Sequence, residues 1–165
     1  MTRVYLDTSV FVNLFHDDEK NWELVERISE LAKNKKVEIA VSDWVINESI
    51  WTVEKKVQKG RIDPGEAFKI INLIADFVAE GVEDGWIIWL GFPSDAVANS
   101  RVIIEEMRCS AADALHLYLA HTSSCDYFLS ADEDLVTQIK FSDVRLQGIY
   151  LHDPRDMNRF FKFIA

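Results

Sequence analysis

The chain has little of what would announce a function at once. Only two cysteines and six glycines are spread over its 165 residues. Cys109 and Cys125 flank a predicted helix of about a dozen residues, whose ends lie roughly 18–20 Å apart. A disulfide needs Cα atoms within about 7 Å, so two free thiols in a reducing compartment are expected. The spacing is not that of a zinc site either. The glycines are scattered and form no phosphate-binding loop. No Cys or Ser nucleophile with an adjacent His is apparent. No apolar run approaches the ~20 residues that cross a bilayer. Asp7 interrupts the first apolar run, and Asp17, Asp18 and Glu19 soon follow, which does not suit a secretory signal. A cytoplasmic protein with no membrane contact is the expectation. No repeat, low-complexity tract or long linker divides the chain, so residues 1–165 are expected to form one domain.

Positive charge is also short. Eighteen Lys and Arg face 28 Asp and Glu, for a net charge of −10. That sign is wrong for tight, sequence-independent binding of duplex DNA. A local basic patch or a bound cation can override it, and it suits a basic protein partner.

What is present is a series of short apolar runs separated by helical patterns. Val4-Tyr5-Leu6, Val37 to Val41, Trp86 to Leu90, Tyr127 to Ser130 and Gly148 to His152 read as strands, the first, third and fourth as buried ones. Between them, apolar residues recur at helical spacing. A helix begins behind Thr8 or Ser9. A second, capped by Asp17 or Asp18, carries Trp22, Leu24, Val25, Ile28, Leu31 and Ala32. A third runs from Asp43 to about Lys59 behind Ser42, with Gly60 as its stop. Pro64 opens a fourth, with Phe68, Ile71, Ile74, Ala75 and Val78 as its stripe, and Gly81 and Gly85 are expected to bracket a turn. Ser94 is expected to cap a helix from Asp95 to Met107, and Ser110 one from Ala111 to about His121. Glu133 to Ile139 and Arg155 to Ile164 complete the series. Alternating strands and helices imply a parallel sheet covered on both faces. Five tryptophans are many for this length. Trp44 and Trp51 share a helix face and Trp86 and Trp89 a strand; they read as core, or as a homodimer surface or a groove for a partner helix.

Four acids stand out, and each has a plain structural alternative. Asp7 and Asp132 each end a strand and precede a helix, where either can be an N-cap or a ligand. Glu48 sits mid-helix among apolar residues, where no cap is needed; a solvated helix face is the alternative. Asp113 follows Ser110 at capping-box spacing, yet its neighbours Ala111, Ala112 and Ala114 leave room for an approaching group. Ser130 and Asp134 add oxygens around Asp132. If the first and fourth strands are neighbours, Asp7 and Asp132 meet at one sheet edge, and hard divalent cations such as Mg²⁺ or Mn²⁺ take such oxygen ligands. Phosphodiester hydrolysis is the matching chemistry. Among the histidines, His116 lies three residues after Asp113; it is assigned to structure and left outside the site.

The stretches Val4-Tyr5-Leu6-Asp7-Thr8-Ser9-Val10, Ile46-Asn47-Glu48, Ser110-Ala111-Ala112-Asp113-Ala114-Leu115 and Ser130-Ala131-Asp132 resemble, in that order, the acidic motifs of PIN-domain nucleases. The resemblance covers nearly the whole chain and is greatest to the small toxin ribonucleases of type II toxin–antitoxin pairs, the VapC-like branch. It implies a PIN-like three-layer α/β/α sandwich with a central, mostly parallel sheet of four to five strands. It further implies that Asp7, Glu48, Asp113 and Asp132 bind Mg²⁺ (or Mn²⁺) and cleave single-stranded or structured RNA, with Ser9, Ser130 and Asp134 in support. An antitoxin with a basic tail and a homodimer are the implied partners. The segment from Arg61 to Leu90 is longer and more aromatic than that branch leads one to expect. The alternatives are an RNA-processing nuclease without an antitoxin, a non-catalytic PIN-like binding module, and a phosphatase using Asp7 as nucleophile. Ser9 argues against the last, because such enzymes usually carry a second acid there.

Overall fold

The computed structural model describes residues 1–16, 19–142 and 145–164. Among them lie β1 (Thr2–Leu6), α1 (Thr8–His16), α2 (Glu19–Lys33), β2 (Val37–Ser42), α3 (Asp43–Gln58), α4 (Pro64–Glu83), β3 (Ile87–Leu90), α5 (Ala96–Met107), α6 (Ala111–Thr122), β4 (Tyr127–Ser130), α7 (Glu133–Phe141), β5 (Gln147–Tyr150) and α8 (Pro154–Ile164). The expected cap at Asp17 or Asp18, and the Trp22 and Val25 side chains of the α2 stripe, lie outside the described residues and side chains.

The five strands form one sheet in the order β3-β2-β1-β4-β5, and every neighbouring pair is parallel. β2 and β4 are buried along nearly their whole length. A parallel sheet whose central strands are buried on both faces needs helices on both, which is the three-layer α/β/α sandwich. The chain order reverses between β1 and β4, and the crevice beyond the carboxyl ends of such a pair is where α/β sheets bind ligands. β1 and β4 are in register from Val4 with Tyr127 to Leu6 with Leu129. Asp7 and Ser130 therefore leave the sheet side by side. The Asp7 N–H still donates to the Leu129 carbonyl at 3.0 Å.

Helix starts follow the local chemistry in most cases. Ser42 caps α3 and Asp63 caps α4 ahead of Pro64, each accepting a backbone N–H. Gly60 and Gly85 take φ of +63° and +72° past the ends of those helices, where a side chain would be strained. α5 departs from expectation: its N-cap is Asp95, not Ser94. The Asp95 carboxylate accepts from Asn99 and Tyr118 and makes no cap bond.

Three further expectations are corrected. The inner stripe of α4 is Ala67, Ile70, Ile74, Val78 and Gly81, while Phe68 is 68% exposed and Ala75 is also exposed. Phe68 is one residue, and so about 100°, off the buried face. The Trp86 to Leu90 run is not a buried strand throughout, because β3 is an edge strand and Trp89 is exposed. Trp86, just before it, is buried. Gly81 is not a turn residue. It lies inside α4 where the helix crosses β3, and a Cβ there would meet Ile87 Cδ1 and Cγ1 at 2.4 Å and its Cβ at 2.9 Å.

Gly81→Ala is therefore expected to destabilise the fold. Alanine's better helix propensity offsets up to about 1 kcal/mol, against about 1–3 kcal/mol for overpacking. A net loss of up to about 2 kcal/mol should appear as a lower urea midpoint at unchanged slope. A raised midpoint would mean that Ile87 repacks freely.

Candidate functional site

Asp7 is the fixed centre of the sheet edge. It is 6% exposed, and a buried carboxylate needs its lone pairs filled. Its Oδ1 accepts the Thr8 N–H at 2.7 Å. Its Oδ2 accepts the hydroxyls of Ser9 and Ser130 at 2.8 and 2.7 Å. Those hydroxyls in turn accept backbone donors, Ala131 N–H on Ser9 and Asp132 N–H on Ser130, both at 2.9 Å. The ends of β1 and β4 are thus tied together through two serines and one carboxylate.

Asp132 and Asp113 both take part in helix caps. Asp132 caps α7, its Oδ1 accepting the Leu135 N–H at 3.0 Å. Asp113 forms a capping box with Ser110, accepting the Ser110 N–H on Oδ2 at 3.2 Å while its own N–H donates to the Ser110 hydroxyl at 3.1 Å. Each carboxylate spends one oxygen on its helix, and both residues line the pocket into which Asp7 faces.

Glu48 arrives from α3 and is half-buried. Its Oε2 accepts the Thr8 hydroxyl at 2.7 Å and lies 2.7 Å from His116 Nε2. The bond from His116, followed by that from Thr8, holds the Glu48 carboxyl below its ordinary 4.5 in spite of partial burial. A depressed folded value contributes stability that is complete above 4.5 and is lost as pH falls through the folded value. In the presence of chelator, the difference in melting temperature between wild type and Glu48→Gln should be constant down to about that pH and shrink below it. A difference that stays constant to strongly acidic pH would remove Glu48 from these bonds.

The pocket so formed has a volume of about 350 Å³ and is lined by Asp7, Thr8, Ser9, Val12, Asn13, Glu48, Thr52, Lys56, Asp113, His116 and Asp132. All four acids singled out in the sequence reach it. Asp134 does not line it; it is exposed on the first turn of α7. A larger cavity of about 590 Å³ lies between β5, α7 and α8. It gathers no group of carboxylates, and its Lys140 and Asp156 are paired with each other at 2.5 Å, so the smaller acidic pocket is the candidate site. As the side chains stand, no three His, Cys, Asp or Glu among the described residues are close enough to hold a metal ion together.

His116, assigned to structure in the sequence, lies against the acidic pocket. It is 1% exposed and sits in the pocket wall, between Glu48 and Tyr5. Its place one turn after Asp113 on α6 was the available signal, since residues three apart share a helix face. Thr8, Thr52, Asn13 and Lys56 were likewise not singled out. Glu48, Thr52 and Lys56 follow one another at four-residue steps along one face of α3.

The family models match the PIN domain over residues 4–141. The chain belongs to the PIN domain family. No curated protein sequence matches it. Among solved structures, the PIN-domain chain is similar to PAE2754 from Pyrobaculum aerophilum, at 15% identity and a TM-score of 0.61 over 98% of this chain and 96% of that one. It is similar to VapBC2 from Rickettsia felis, bound to a DNA fragment from their promoter, at 15% identity and 0.60 over 89% and 98%. It is also similar to Mycobacterium tuberculosis VapC20, a toxin that cleaves the sarcin-ricin loop, at 13% identity and 0.60 over 86% and 98%. At these identities the likeness is one of fold. Nuclease is the class of activity that membership of the PIN domain family supports.

Proposed function

We propose that this PIN domain, comprising residues 1–165, is a cytoplasmic divalent-metal-dependent endoribonuclease and the toxin of a toxin–antitoxin pair. The observation that carries the reading is the convergence of Asp7, Glu48, Asp113 and Asp132, from four separate elements, on one pocket at the strand-order switch. The donor set is all oxygen and anionic, which fits Mg²⁺ or Mn²⁺. Asp113 and Asp132 each keep one oxygen that makes no hydrogen bond among the described residues. In this reading the four acids hold the metal. When bound, the ion polarises the phosphoryl oxygen, lowers the pKa of an attacking water and stabilises the leaving oxygen. The chain's own part is positioning: Ser9 and Ser130 orient Asp7, Thr8 orients Glu48, and Lys56 brings a cation to a pocket wall that must meet a phosphate.

The similarity to VapC20 and VapBC2 supports RNA as substrate and a cognate antitoxin as partner. With a net charge of −10, a basic antitoxin tail that places an Arg among the carboxylates would compete with metal and RNA. Exposed apolar side chains such as Trp51, Trp89 and Val102 supply surface for the antitoxin's apolar anchors and for a homodimer contact. The test is cleavage of single-stranded and hairpin RNA across a Mn²⁺ titration, with chelator as control. Cleavage that rises with Mn²⁺ and stops in chelator is the expected result. No cleavage at any Mn²⁺ concentration, or equal cleavage in chelator, would overturn the reading.

A further inference from the structure

Beneath the acids runs a buried chain of polar groups that the proposed chemistry does not use. Ser42 Oγ accepts the Val45 N–H at 3.3 Å and lies 2.8 Å from the Tyr5 hydroxyl. Tyr5 lies 2.9 Å from His116 Nδ1. On the other side of the ring, Nε2 is 2.7 Å from Glu48 Oε2, 3.3 Å from Thr8 Oγ1 and 3.5 Å from Asp7 Oδ1. Ser42 and Tyr5 are fully buried. Tyr5, Ser42, Glu48 and His116 come from β1, the end of β2, α3 and α6, so the chain crosses from the sheet into the helices. A carboxylate has no hydrogen to give, so the hydrogen between Nε2 and Glu48 belongs to the imidazole. The hydrogen bond at Nδ1 then decides which way the ring faces, as a second partner does for any working histidine.

We infer that His116 is the positioning residue of the acidic pocket, gripped at Nδ1 by the Tyr5–Ser42 pair so that its Nε2–H fixes the Glu48 carboxylate beside Asp7. The inference rests on the metal site proposed above. Loss of an outer partner of this kind typically weakens metal binding or activity about 10–100-fold. Without the Nε2 donor, Glu48 keeps, among the described residues, only the Thr8 hydroxyl and can swing out of the pocket.

Three variants test this: H116L removes both bonds, H116Q keeps an amide donor near the Nε2 position, and Y5F leaves the ring but releases Nδ1. Mn²⁺ affinity is measured by calorimetry, and the imidazole Nε2–H is followed by ¹⁵N-edited NMR in metal-free protein. The expected result is a slowly exchanging Nε2–H in wild type that exchanges faster in Y5F. Affinity should fall about 10–100-fold in H116L, with H116Q recovering part of the loss. Wild-type affinity in folded H116L, or no recovery in H116Q, overturns the inference. Should H116L fail to fold, unchanged affinity and unchanged exchange in Y5F overturn it equally. If the wild type binds no Mn²⁺, the metal site itself fails. The positioning role is then judged by NMR alone, where an Nε2–H that is absent, or indifferent to Y5F, overturns it.

Discussion

Asp7→Asn protein is expected to fold as the wild type does and to cleave RNA at least about 1000-fold more slowly, roughly 4 kcal/mol of lost transition-state stabilisation. The substitution is nearly isosteric. Its amide oxygen can still accept the Thr8 N–H, and the Ser9 and Ser130 hydroxyls can rotate to accept from the new amide. What it cannot supply is the negative charge of a carboxylate that the sheet edge holds in place from two strands. Relief of like-charge repulsion among the gathered acids offsets part of the weakened hydrogen bonding. The metal-free melting temperature should therefore stay within a few degrees of wild type. Asp132→Asn is the companion variant. Asn caps helices as well as Asp does, so the bond to Leu135 survives while the charge is lost. Asp134→Asn is the control outside the pocket and should leave the rate unchanged. A rate within about tenfold of wild type in both Asp7→Asn and Asp132→Asn would remove the site from this pocket.

Phe128→Ala should cost about 3–5 kcal/mol, the usual range for truncating a buried aromatic. The ring is fully buried in β4, pairs in register with Tyr5 of β1, and stacks on it at 5.4 Å with planes 9° apart. The cavity would open at the centre of the sheet, where strands on both sides leave little room to collapse. At about 2–4 °C per kcal/mol for a chain of this size, the melting temperature should fall by roughly 6–20 °C. The folded fraction should also lose activity, because Tyr5 loses the plate behind it and with it the grip on His116. Phe141→Ala is the contrast: Phe141 is 88% exposed, and its loss should stay within about 0.5 kcal/mol. Equal melting temperatures for the two variants would contradict the packing described.

The order of the elements, and the two carboxylates at strand ends, were legible in the sequence alone. Short β-branched runs, Ser42, Pro64 and Ser110 at helix starts, and Gly60 past a helix end all act on backbone within a few residues. Such signals survive without knowledge of the rest of the chain. Asp7 and Asp132 were visible for the same reason, since a run that stops at an acid marks a strand end. What they do as a pair depended on β1 lying beside β4, a pairing across more than a hundred residues. Only the tertiary structure decided what depends on such distant partners. Gly81 reads as a turn until Ile87 is packed against it. Trp89 reads as core until β3 proves to be an edge, and Phe68 as core until the buried face of α4 is known to run one residue away. Asp134 has the right composition for the site, but the first turn of α7 leaves it outside the pocket. His116 is the sharpest case. Among apolar neighbours on α6, a core histidine and a positioning histidine have the same local pattern. The difference lies in Glu48, 68 residues before it, and Tyr5, 111 residues before it. The physical reason is common to all of these: local sequence sets backbone conformation, but the partner of a side chain is set by the sheet order and the helix packing that close the fold.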